Sequence, residues 1–172
     1  SLNESNFSVS MNFTPLRVRP QLFPFLLTLV ALGACSSPPG PPRVGNLPMY
    51  GAPEIPRPTQ LKQADERFVR NAAAGFRGDR RLASIAWTDQ GDQFLADGNL
   101  DFAMRRYNEA WLLDATNYEV FLGFSRVMAR SGEIDDAIAH LEKAIDLCTV
   151  PEQRPHLLAE LDRLKAPQPA PK

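Results

Sequence analysis

Polar and apolar residues fall into distinct regimes along the chain. Residues 1–10 are polar and patternless, and an apolar run, LFPFLLTLVALGA, fills residues 22–34 and stops at Cys35. That run is 13 residues long, well short of the about 20 that a membrane-spanning helix needs. With Arg17 and Arg19 ahead of it, the order is that of a signal peptide over residues 11–34. Translation is expected to start at Met11, which makes residues 1–10 a non-native or upstream extension. Residues 38–58 hold 8 of the chain's 16 prolines. Such a stretch predicts an extended, disordered tether over residues 35–58, its proline-rich part reaching roughly 65 Å at about 3.1 Å per residue.

Beyond the prolines the period changes to that of helices. Leu61, Ala64, Phe68 and Ala72 recur every three or four positions, with Thr59 as the expected cap and an end near residues 75–78. Leu157, Leu158, Leu161 and Leu164 form a similar stripe on a helix over about residues 152–165, and APQPAPK reads as a disordered tail over residues 166–172. Between these two helices the sequence returns on itself every 34 residues: Trp87 as Phe121, Gly91 as Ser125, Phe94 as Met128, Gly98 as Gly132, Ala103 as Ala137, Tyr107 as Leu141, and Ala110 as Ala144. A fixed period in this range marks stacked structural repeats. Small residues at Gly91, Ser125, Ala103 and Ala137 let paired helices cross closely, bulky ones fill the space around the crossings, and Gly98 and Gly132 suit the turns.

The segments WTDQGDQF with AMRRYNEA, and FLGFSRVM with AIAHLEKA, resemble the tetratricopeptide repeat. The resemblance covers about residues 84–150 and implies repeats at about 84–117 and 118–151. The implied fold is all-α, a right-handed stack of about six helices in which the helices at 59–75 and 152–165 cover the terminal faces. Gln90, Ala115 and Thr149 depart from the family pattern at single positions.

Leu32, Gly33, Ala34 and Cys35 resemble the lipobox of bacterial lipoproteins. That likeness implies cleavage before Cys35, a diacylglyceryl thioether on its sulfur and an N-acyl group on its new amine. The thiolate is the nucleophile such chemistry requires. Acyl chains in that number anchor a protein stably, since each buried methylene contributes about 0.8 kcal/mol. Ser36 after the cysteine, in the enterobacterial version of the family, implies an outer-membrane protein facing the periplasm. The run AMRRYNEAWLLDATNYEVFLGFSRV also looks like envelope lipoproteins that carry such repeats, a likeness that supplies no activity.

Composition narrows the function classes. The 172 residues are 44% hydrophobic and 23% charged, which suits one domain with accessory segments. A net charge of −1 gives no basic surface for nucleic acid. Cys35 and Cys148 make no disulfide framework, and His140 and His156 have no partners at metal-ligand spacing. Asp135 and Asp136 favour the start of a helix. No nucleophile with a base, phosphate loop or spaced carboxylate pair points to catalysis, so no cofactor is expected beyond the lipid.

Repeats of this family bind peptides along the first helix of each pair. Carrying that spacing over gives Thr88, Asp92 and Leu95 from the first repeat, and Leu122, Arg126 and Arg130 from the second. Arg126 and Arg130, four apart, suit a carboxylate. The expectation is a lipid-anchored adaptor for an envelope protein or peptide. Two rivals are a pilotin-like assembly factor for a pilus or secretion complex, and a cell-wall enzyme or its activator.

Overall fold

A computed structural model describes residues 44–166. The signal-like run, Cys35 and residues 167–172 lie outside them. Among the described residues there are six α-helices and no strand: α1 (Thr59–Ala74), α2 (Arg80–Ala96), α3 (Leu100–Leu113), α4 (Tyr118–Ser131), α5 (Ile134–Leu147) and α6 (Arg154–Lys165). The main pairings are α2 with α3 and α4 with α5, followed by α3 with α4 and α5 with α6.

Local chemistry sets the helix ends. Asp79, Asn99 and Asn117 each accept a hydrogen bond from a backbone N–H in the first turn of the helix they precede, satisfying a donor that the helix itself leaves free. Thr59, expected as a cap, is instead the first residue of α1, because Pro58 occupies the cap position and its carbonyl accepts from the Lys62 N–H at 3.0 Å. Gly98 and Gly132 close α2 and α4 at φ +77° and +85°, a conformation that penalises any Cβ. The following N–H groups, of Asn99 and Glu133, reach back to the carbonyls of Phe94 and Met128 at 2.8 and 2.9 Å, so both turns are the same six-to-one motif.

The core runs through these hairpins. Ala103, Tyr107, Ala110, Ala137, Leu141, Ala144, Phe124 and Ser125 have no exposed surface, and Phe121 and Met128 are buried. Trp87 and Phe94 pack against that core while remaining partly exposed. Tyr107 is wedged between two helices: a methyl added at Gly91 would stand 2.5 Å from its Cε1, and one at Gly123 would also strike its ring. Trp87 joins the main core to a smaller one under α1, meeting Phe68 edge-on at 5.7 Å and donating its indole N–H to Glu109 Oε2 at 3.0 Å. The terminal helices use less of their apolar stripes than their sequences suggest. Leu61 (43%) and Leu158 (44%) are exposed, since α1 packs through the half that bears Phe68, Val69 and Ala72, and α6 through Leu157, Leu161 and Leu164.

Residues 44–58 correct the expectation of a spacer held clear of the domain. Residues 44–51 fold against α3, and the reason is Asn108, a fully buried side chain in the middle of that helix. Its Nδ2 donates to the carbonyls of Gly45 and Leu47 at 3.2 and 2.8 Å, and its Oδ1 accepts from the Tyr50 N–H at 3.2 Å. Met49 packs on the main core. Met49 and Tyr50 adopt φ of 50° and 56°, a left-handed backbone that costs about 1–2 kcal/mol per non-glycine residue and is held by these contacts.

Candidate functional site

An open recess lies along α2 and α4. One cavity of 580 Å³ has Arg81 and Ile85 of α2, Tyr118 and Glu119 of α4, and Asp146 of α5 among its lining. A second of 240 Å³ continues it toward Gln153, between Asp89 and Asp92 on one side and Leu122 and Arg126 on the other. Tyr118 and Glu119 line both. On α2 the wall reads Arg81, Ile85, Asp89 and Asp92, spaced four, four and three, which is one stripe of a helix.

Three of the six residues expected to face a ligand are here: Asp92, Leu122 and Arg126. The other three are not. Thr88 is 2% exposed; its hydroxyl donates to the Ser84 carbonyl at 2.9 Å. Leu95 is 6% exposed and belongs to the main core. Arg130 donates to the Leu95 carbonyl, satisfying an acceptor at the end of α2. The stripe inferred from repeat spacing was therefore rotated about one residue around α2 toward the core, and Asp89 rather than Thr88 lines the recess. Asp89, Tyr118, Glu119 and Asp146 were missed, although the Arg81, Ile85, Asp89 spacing on α2 was a legible signal.

The charges also differ from expectation. Arg126, read as half of a carboxylate clamp, is taken by Glu160 of α6 through paired bonds of 3.1 Å from Nε and Nη2. That bond raises the Arg126 pKa and keeps it cationic. Asp92 accepts the Tyr107 hydroxyl at 2.7 Å, while burial, followed by this bond, pushes the phenol far above its usual range, so Tyr107 is a permanent neutral donor. Burial, then the charge of Glu119, raises the Tyr118 phenol to about 12. Five carboxylates, Asp89, Asp92, Asp114, Glu119 and Asp146, thus line the recess against the guanidiniums of Arg81 and Arg126, and the second of these is already paired.

A polar network holds the recess in shape from behind. Ser84 Oγ donates to the Ala110 carbonyl at 2.9 Å, and Asn117 Nδ2 donates to Ser84 Oγ and Thr88 Oγ1 at 3.0 and 3.4 Å. It ties α2, α3 and the cap of α4 together. Among the described residues no group of three or more His, Cys, Asp or Glu side chains is placed to hold a metal ion, and no helix is long and apolar enough to cross a membrane. No protein-family model, curated protein or solved structure matches the chain.

Proposed function

We propose that this protein is a lipid-anchored adaptor of a bacterial cell envelope, a small tetratricopeptide-type stack that holds an extended cationic segment of another envelope protein along α2 and α4. The observation that carries the reading is the charge of the recess, five carboxylates against one unpaired guanidinium. The half-buried Tyr118 and Leu122 supply apolar contact between those charges. The 34-residue period and the two identical helix turns support the repeat assignment. The anchoring reading rests on the run that ends in Leu32, Gly33, Ala34 and Cys35; mass spectrometry of the native protein checks it, an acylated Cys35 at the N-terminus being the expected species.

Complementary charge sets partner choice and the salt dependence of association. The full chain should bind a fluorescent lysine-rich peptide with an affinity that falls as salt rises, and should discriminate against a glutamate-rich peptide of equal length. Reversing two charges together, Asp89→Lys and Glu119→Lys, should weaken the lysine peptide by about tenfold or more. A wild-type preference for the acidic peptide would overturn the proposal.

A further inference from the structure

We infer that residues 44–57 are a clasp with a docked and a released state, and that docking sets how far the anchored domain stands from the lipid surface. The first half stands on the fold alone; the second rests on the anchoring of Cys35 proposed above.

Asn108 is the starting point. Thirty-four residues further on, the same helical position is Glu142, an exposed side chain that meets Lys165 at 2.8 Å. The position is therefore on the outside of its hairpin, and in α3 it is buried because the clasp lies over it. An apolar residue there would bind the clasp only by excluding water. A carboxamide does otherwise: docked, it is satisfied by the backbone of Gly45, Leu47 and Tyr50; released, it is satisfied by water. Either state leaves the Asn108 carboxamide paired, which is what a reversible seam requires of the group at its centre.

The ends of the clasp are held in the same way. Asn46 Nδ2 donates to Asp101 Oδ1 at 2.9 Å, and Arg57 makes two bonds of 2.7 Å to Asp65 of α1 while its guanidinium lies 3.7 Å over the Tyr50 ring. The clasp is bordered by recesses open to solvent. Cavities of 330 and 410 Å³ flank the clasp, one toward Trp111 and Leu112, the other toward Met128 and His140. A segment held by a polar seam and by Met49 packed on the core, with solvent-open recesses on both sides, opens more readily than the core it covers.

Opening changes geometry. Val44 stands nine positions after Cys35, so the docked clasp limits the span between lipid and domain to at most about 32 Å. Release moves the fixed point to Thr59, 24 positions after Cys35, and raises that limit to about 86 Å. The recess along α2 and α4 shares no lining residue with the cavities at the clasp, so reach can change without disturbing what is held.

Hydrogen exchange on the full chain in detergent tests the clasp. The N–H groups of Tyr50, Ala52 and Ile55 should exchange about tenfold or more slowly than in a free peptide of residues 44–57. Asn108→Glu should bring them to the free-peptide rate while α4 and α5 keep their protection. Should that variant fail to fold, Met49→Asp asks the same question from the clasp side, leaving α3 untouched. Free-peptide exchange in the wild type would overturn the clasp. Neutron reflectometry of the acylated chain on a supported bilayer tests the reach: the domain should move outward in Met49→Asp, and equal heights would overturn the two-length claim. If the chain does not bind the bilayer at all, the anchor and the reach both fall, and the exchange result decides the clasp by itself.

Discussion

Asn99 closes the turn after α2 by donating to Phe94, and thirty-four residues later Glu133 closes the turn after α4 by donating to Met128. The backbones of the two hairpins repeat at these points; their polar side chains do not. In the first hairpin Ser84 and Thr88 turn inward, Asp92 takes the Tyr107 hydroxyl and Asn108 is buried under the clasp. Their counterparts in the second are Tyr118, Leu122, Arg126 and Glu142, all at least partly exposed. At these positions the first hairpin thus directs hydrogen-bonding groups to holding neighbours together, where the second presents the matching side chains to the recess and to α6. A period in sequence fixes where helices turn and cross, while the surroundings of each copy decide what its polar positions do.

The sharpest way to break the comparison is at Tyr107, whose counterpart is Leu141. Its ring fills the space that Gly91 and Gly123 leave open. A glycine inside a helix forgoes about 1 kcal/mol relative to alanine, so Gly123→Ala would stabilise α4 if nothing lay against it. Here the new methyl meets the ring of a side chain with no exposed surface, and overpacking of that kind costs typically 1–3 kcal/mol. Set against the helix gain, Gly123→Ala is expected to lower unfolding stability by up to about 2 kcal/mol in denaturant titration. Combined with Tyr107→Leu, the residue of the second repeat, it should lose less than the two single effects added, with a coupling of about 1–2 kcal/mol. Simple additivity would show that the ring does not set the spacing.

What could be read in the sequence follows the same division. Helices, turns and some fully buried small residues were legible because they depend on local propensity and on a period, as with Gly98, Gly132, Ala103 and Ala137. Gly123 was not, although a glycine within FLGFS was itself a signal of close approach. The recess was legible only in part, since repeat spacing places Thr88 but does not reveal that Asn117, 29 residues away, draws it inward. Arg126 and Arg130 were correctly placed on one helix; their partners, Glu160 and the Leu95 carbonyl, are long-range contacts that no local pattern encodes. The clasp was hidden for a different reason. Proline content argues against regular secondary structure but does not forbid docking, and the residue that recruits the segment lies more than fifty positions away.

A smaller effect sharpens the inward use of polar groups in the first hairpin. Ser84→Ala removes the donor to the Ala110 carbonyl and the acceptor for Asn117, all within buried or half-buried surroundings. A loss of about 1–2 kcal/mol is expected, as for buried groups deprived of a partner. Because Asn117 caps α4, amide exchange in the first turn of α4 should rise along with the global loss. Tyr118→Ala at the counterpart position, which faces the recess, should leave the exchange of α2 unchanged. Equal disturbance of both hairpins by the two variants would dissolve the distinction between them.

The smallest expected effect is a pH dependence confined to the second hairpin. His140 packs against the rings of Phe121 and Phe124 at 6.4 and 5.5 Å, and burial lowers its pKa from 6.5 despite the opposing charge of Asp136. Its counterpart in the first hairpin is Arg106, a half-buried cation paired with Glu109 at 2.6 Å. The folded state binds the His140 proton more weakly than the unfolded chain, so protons favour unfolding wherever the two differ in occupancy. His140 therefore contributes its full stabilising effect above pH 6.5, and that effect declines as the pH falls below 6.5 toward the lower, folded value. Thermal unfolding should show Tm falling between about pH 7.5 and 5.5, with the fall reduced in His140→Gln, which cannot titrate. A wild-type curve parallel to that of His140→Gln would mean that the imidazole is not held neutral by its surroundings, and that the aromatic floor of the second hairpin is open to water.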